Sequence, residues 1–193
     1  QYTAPNPDRT FLTEDELRRM MTTELRYKRQ DYNRDMFLFS CFTGICYADM
    51  ASLTYDQIEQ DAQGEWWISG NRQKTETKYV VKLLPYPLFI LSKYRGLTHD
   101  GHLFHMSGIK TIDDSLKNIA RECGIDKQLS FHLARHTYAT TICLSNGVSL
   151  ETLSKMLGHK NITTTQIYAK VTHPMIDREV TMLRNKLATK FSV

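Results

Sequence analysis

Apolar positions along the chain recur with two periods, and the change of period marks the architecture. Thr13-Glu14-Asp15-Glu16 has capping-box spacing, and Leu17, Met20, Met21 and Leu25 follow at helical intervals, predicting a helix from 13 to about 28. Met36, Phe37, Phe39 and Cys41 make a second helix, about 33–42, strongly apolar and therefore buried. Thr43-Gly44 interrupts it, and a short helix through Ala48-Asp49-Met50 follows. The pattern then changes. Asp61-Ala-Gln-Gly64 is turn chemistry, while Trp66–Ser69 and Tyr79–Leu84 are β-prone. The polar stretch Gly70–Thr77 between them predicts a projecting basic hairpin on a small antiparallel sheet. Helices are expected again at about 86–95, 108–123, 131–145, 149–157, 163–169 and 174–189. Ser130 and Ser149 serve as expected N-caps, Thr163-x-x-Gln166 as a second capping box, and Gly124, Gly147 and Gly158 as stops. The fold class is mainly α with a small antiparallel β-sheet.

Composition narrows the function only slightly. Over 193 residues, 41% hydrophobic content supplies a core, and a net charge of +4 permits nucleic-acid binding without establishing it. Cys41, Cys46, Cys123 and Cys143 lack CxxC spacing, which favours a reduced cytoplasmic protein over a disulfide framework or a structural zinc site. No apolar run reaches the ~18 residues that would mark a membrane span. Gln1 rather than Met opens the chain. The expectation is a fragment or a processed chain, with an N-terminal domain lying outside it.

Candidate chemistry concentrates in 130–169. His132 and Arg135 stand three apart at a helix start, so both leave from one face toward unpaired amides, a seat suited to a phosphate. Arg adds a planar, permanently charged fork. Taken alone, the pair is better described as a capped, solvated helix start. His136 is four residues from His132, but Leu133 stands where an HExxH metalloprotease needs its glutamate. His136 is expected to pack inside the domain against a backbone group, and no metal is expected. By themselves, Lys74 reads as a solvated loop lysine and Tyr168 as a core or rim tyrosine.

The ordered set is more specific than its members. His132-Leu-Ala-Arg135-His136-Thr-Tyr-Ala-Thr, then Leu157-Gly-His159-Lys, then Ile167-Tyr168, resembles the catalytic region of the tyrosine recombinase (phage integrase) family. Leu12-Thr13-x-x-Glu16-Leu17, Phe42-Thr43-Gly44 and Arg72-x-Lys74-Thr75 resemble that family's landmarks in the same order, so the likeness covers about residues 10–170. It implies a linker segment at 1–12, a recombinase catalytic domain at 13–172 and a C-terminal helix at 173–193 that packs on its own domain or on a neighbouring protomer. It also implies cleavage and rejoining of double-stranded DNA without metal, ATP or cofactor, by an oligomer, a tetramer, assembled on the DNA, with an N-terminal DNA-binding domain lying outside this chain. Tyr168 would be the nucleophile and form a 3′-phosphotyrosyl link. Arg135 would clamp the phosphate, His132 would share proton transfer, His159 would contact the scissile phosphate, and Lys74 would protonate the leaving 5′-oxygen.

One position departs from the pattern. Family members carry TGLR, whereas Thr43-Gly44-Ile45-Cys46 puts a cysteine where the first arginine belongs. Cys46 supplies no positive fork. Three explanations compete: an inactive domain, an engineered or natural variant, or another cation in the site, as would suit the integrases of Bacteroides-type conjugative elements that the surrounding Phe39-Ser-Cys-Phe-Thr-Gly44 stretch resembles. Arg72 on the basic hairpin is the leading candidate, ahead of Arg34 and Arg95. Two other readings compete: a helix-turn-helix regulator built on 149–166, and a type IB topoisomerase-like enzyme. Lys78, Lys110, Lys155 and Lys160 are plausible phosphate contacts or equally a solvated face.

Overall fold

A computed structural model describes residues 11–98, 100–169, 173–188 and 190. The calls on 1–10 and on 170–172 fall outside the described residues. Thr13 caps α1 (Glu14–Thr22) with the full capping box: its hydroxyl accepts from the Glu16 amide at 3.2 Å, and the Glu16 carboxylate accepts from the Thr13 amide at 2.8 Å. The helix ends at Thr22 rather than near 28. The Thr23 amide and hydroxyl both donate to the Arg19 carbonyl, at 2.9 and 2.7 Å, and Thr23 itself turns extended. The next helix, α2 (Lys28–Thr43), therefore starts before the expected 33. Its segment Met36–Cys41 is buried, and α2 forms the axis of the domain, packing against the later helices.

Gly44 ends α2 at φ +71°, and a Cβ there would collide with the Tyr138 ring, so only glycine fits. The chain continues through α3 (Tyr47–Ala51) into a sheet of order β1-β2-β3, all antiparallel: β1 (Ile58–Gln60), β2 (Trp66–Asn71) and β3 (Lys78–Lys82). β1, short and mostly polar, has no hydrophobic alternation to announce it. Ile68 pairs with Val81 and, with Tyr79, turns to the core, while alternate residues face outward. α4 (Pro85–Tyr94) and α5 (Ile109–Glu122) complete the packing around α2. The stretch expected as one helix over 131–145 is α6 (Phe131–Thr137) continued by a π-helical segment, Tyr138–Cys143, and a last turn, Leu144–Asn146. Such wide turns frequently mark functional sites. α7 (Leu150–Met156), α8 (Thr163–Gln166) and α9 (His173–Ala188) follow.

The expected stops at Gly124, Gly147 and Gly158 all have positive φ, and Ser149 caps α7 through the Thr152 amide. Two expected caps are corrected. Ser130 makes no side-chain capping bond, and the first amide of α6, at Phe131, donates to the Asp113 carboxylate on α5 at 2.7 Å. α8 is preceded by helical Ile162, so Thr163-x-x-Gln166 lies inside the turn and forms no capping box. Leu12 is fully buried, and its amide donates to the Thr137 hydroxyl at 2.9 Å, which ties the start of the described chain to α6.

The core divides in two. The larger cluster surrounds α2; the smaller joins Tyr138, Ala139, Cys143, Leu144, Leu153, Leu157 and Tyr168. All four cysteines are free. Among the described residues, no helix is long and apolar enough to cross a membrane.

Candidate active site

Five stretches far apart in sequence meet where the two core clusters touch. Arg135, on the inner face of α6, is 5% exposed. Its Nη1 donates to the Gly44 carbonyl at 2.7 Å, and its Nη2 donates to the Leu157 carbonyl at 2.7 Å. Nη2 also lies 3.0 Å from Nε2 of His159. Three of a guanidinium's five N–H groups are thus held by fixed acceptors, which aims the rest of the fork at the phenol of Tyr168 and at any arriving anion. Burial, then the nearby Arg72 charge, pulls the Arg135 guanidinium down to about 10, so it remains a cation at neutral pH.

Gly158 makes the second half of this cradle possible. At φ +63° it turns the chain after α7, and a Cβ would press within 3.2 Å of Arg72 Cγ and of the Lys78 carbonyl. The turn presents the Leu157 carbonyl to both arginines: Arg72 Nη1 donates to it at 3.1 Å, alongside Arg135. The other edge of Arg72 is fixed by Asp49, whose Oδ2 lies 2.8 Å from Nε. Asp49 is buried and also accepts from the Gln73 amide at 2.8 Å and from the Cys46 thiol at 3.0 Å. Burial, with Asp49 beside it, pushes the Cys46 thiol up, so it is a neutral donor rather than a thiolate. Where a guanidinium would project from the loop after α2, the chain instead has a short thiol and an acid. The acid pairs with the hairpin arginine, and the thiol donates to the same carboxylate.

His159 sits between the arginines and the α8 turn. Its Nε2 faces the Arg135 donor, which leaves its proton on Nδ1, 2.8 Å from the Thr165 hydroxyl. Burial, then Arg135 and Arg72, pulls this imidazole down to about 4. An unfolded histidine titrates near ~6.5. Between those values the unfolded chain binds the extra proton, so the contribution is complete above about pH 6.5 and is lost as the pH falls toward 4. The melting temperature is expected to drop on acidification from pH 7 to 5, and to drop less in His159→Gln. Equal slopes would contradict this environment.

Tyr168 is 8% exposed, its ring held in the smaller core cluster and its amide bonded to the Thr165 carbonyl at 3.0 Å. Burial raises its phenol, and Arg135 followed by Arg72 opposes the rise. The phenol is therefore protonated at rest, with two cations near the charge it would develop.

The structure thus brings Arg72, Arg135, His159 and Tyr168 together. His132 stands exposed on the rim, one turn before His136. Lys74 is exposed at the hairpin tip and makes no hydrogen bond or ion pair among the described residues, so it is not part of the assembled cluster. Arg34 is engaged elsewhere, bonded to the Thr23 carbonyl and to Asp31, and Arg95 is exposed beyond α4. The expectation for His136 is corrected: it bonds no backbone group among the described residues. Its Nε2 lies 3.0 Å from His132 Nε2, and its ring meets that of Tyr168 edge-on at 5.1 Å. Asp49, Thr165 and the Gly44 and Leu157 carbonyls were missed by sequence reasoning. Only Asp49 left a readable trace, one helical turn after Cys46.

A profile of the phage integrase family matches residues 10–174. The chain belongs to that family. Tyrosine recombinase XerD of Listeria monocytogenes (serotype 4b, strain F2365) is 40% identical over 105 residues, covering 51% of this chain and 34% of that protein. The chain spans about a third of the length of this relative. The crystal structure of XerA recombinase superposes with TM-score 0.71 at 23% identity, over 90% of this chain and 65% of that one. XerH site-specific recombinase, bound to its difH substrate before cleavage, superposes with TM-score 0.70 at 18% identity, over 94% and 56%. At that identity the two structures establish the shared fold, mainly helical with a small antiparallel sheet.

Proposed function

We propose that this chain is the catalytic part of a site-specific DNA recombinase or integrase acting on double-stranded DNA. The observation that carries the reading is the pair of guanidinium groups sharing the Leu157 carbonyl beside a buried phenol. Two like charges so close, with the Asp49 carboxylate paired to one of them, leave a net positive charge complementary to an anion.

A phosphodiester fits there. Tyr168 attacks phosphorus, a Tyr–O–P bond forms as the P–O5′ bond breaks, and the phenol proton passes to His132. The pentacoordinate transition state carries more charge on its non-bridging oxygens than the ground state, and Arg135, Arg72 and His159 are placed to stabilise that increment. Lys74 protonates the departing 5′-oxygen once the hairpin closes on DNA. The reverse attack by a 5′-hydroxyl reseals the strand, and the phosphotyrosyl link conserves the bond energy in between. No step draws on a metal or a nucleotide cofactor. In this reading Cys46 does not disable the site, because Arg72 takes over the missing arginine's place. We assign the activity to the cytoplasm, a reading that the four free thiols support.

The helix-turn-helix alternative fits poorly. α8 is a single turn, and its Thr165 is buried against His159 instead of facing a groove. In the enzyme reading, the apolar residues exposed on α9, among them Val180, Leu183 and Leu187, are the surface for a neighbouring protomer in a DNA-bound tetramer.

A library of duplexes nicked beside randomised sequence tests the proposal. With EDTA present, the chain is expected to form a complex that survives SDS, and Tyr168→Phe to form none. Binding without any covalent complex would favour the regulator. Relaxation of supercoiled plasmid regardless of sequence would favour the topoisomerase-like enzyme.

A further inference from the structure

We propose that His136 is a positioning residue that fixes the tautomer of His132 and the ring of Tyr168. The role rests on the reading of Tyr168 as nucleophile and His132 as its proton acceptor.

Within α6 the two histidines are one turn apart, so their side chains stack along one face. Their Nε2 atoms are 3.0 Å apart, with ring centroids at 4.8 Å and planes at 74°. This is a hydrogen bond between two like groups, and proton counting constrains it. The partial desolvation of His132 at the rim and the Arg135 charge lower it, and burial with the His132 and Arg135 charges pulls His136 down to about 4. Both rings are therefore neutral at neutral pH, and each carries a single N–H. One proton lies between the facing Nε2 atoms, so the rings hold opposite tautomers: one protonated on Nε2, the other on Nδ1.

Chemistry selects which is which. To accept the phenol proton, His132 needs a bare nitrogen. If His136 were the donor, the Nε2 of His132 would be occupied by that bond and its Nδ1 would already hold hydrogen. With His136 as acceptor, His132 keeps its proton on Nε2 and offers Nδ1 as the base. When His132 then becomes an imidazolium, its Nε2–H is still held, and the same bond stabilises the charge it has gained. The arrangement has the logic of a base steadied by a third group, with an imidazole replacing the usual carboxylate. The second contact of His136, its edge against the Tyr168 ring at 5.1 Å and 82°, restrains the plane of the phenol.

The test compares single-turnover cleavage of the nicked duplex by the full chain and its variants. His136→Leu keeps bulk but loses the acceptor, and is expected to slow cleavage on the order of tenfold to a hundredfold with unchanged affinity for the uncleaved duplex. His136→Gln places an oxygen near the Nε2 position and is expected to recover most of the rate. If His136 acts through His132, then His136→Leu added to His132→Ala should slow cleavage little beyond His132→Ala alone. Wild-type cleavage by His136→Leu would overturn the inference while leaving the Tyr168 reading intact. So would failure of Gln to rescue, or full multiplicative slowing in the double variant. Absence of the adduct in the wild-type chain, or its persistence in Tyr168→Phe, would overturn the reading beneath it instead.

Discussion

Arg135→Lys should lower the rate of covalent complex formation on the nicked duplex by about a hundredfold to a thousandfold, despite conserving the charge. The reason is geometric. The guanidinium holds the Gly44 and Leu157 carbonyls with separate nitrogens, contacts His159, and still has donors facing Tyr168. An ammonium is a point charge with three donors on a flexible stem, and cannot span both carbonyls while reaching a phosphate. The buried carbonyl left without a partner should also lower stability, by about 1–3 kcal/mol. Single-turnover rates and thermal melts separate the effects: the lost rate must exceed what the unfolded fraction explains. Duplex binding at moderate salt should change much less, because most of the affinity comes from backbone contacts spread over the interface. A lysine variant cleaving within a few-fold of wild type would show that the fork is dispensable.

Arg72→Ala should be comparably severe, on the order of a hundredfold in the same assay. Two effects add. The second cation is lost, and Asp49, buried and no longer paired, places a bare carboxylate close to the approaching phosphate. Because the Cys46 thiol already touches Asp49, at 3.0 Å, an arginine introduced there can reach the same carboxylate. Cys46→Arg on the Arg72→Ala background should therefore recover a measurable part of the rate, whereas Cys46→Ala should recover none. Near wild-type cleavage by Arg72→Ala would return the question of the second cation to the remaining basic residues.

The expected elements were largely visible in the sequence because their signals are local. Thr13 and Glu16 form a capping box through bonds three residues apart, and Gly124, Gly147 and Gly158 stop helices by their own backbone freedom. What stayed hidden was set by partners distant in sequence. The first amide of α6, at Phe131, is held by Asp113 on another helix, and α1 stops early because Thr23 closes on Arg19. The candidate site divides in the same way. His132, Arg135, His159 and Tyr168 were legible as an ordered set, and Arg72 as a cation two residues before Lys74. The groups that orient them were not: two are main-chain carbonyls, which carry no residue signature, and His136 looked like packing because its function depends on the ring it faces. Cys46 was legible as a loss. Its place in a network with Asp49 and Arg72 requires the fold.

Identifying the amino acid joined to DNA tests the central claim most directly. The covalent complex trapped on the nicked duplex would be digested with a protease and the DNA-linked peptide sequenced by mass spectrometry. The strand polarity of the link would be read from the DNA end that remains free. The account predicts a peptide containing Tyr168 modified at its phenol by a 3′-phosphate, with a free 5′-hydroxyl on the released strand. A link to any other residue, a 5′-phosphate attached to protein, or no covalent link in the wild-type chain would contradict it.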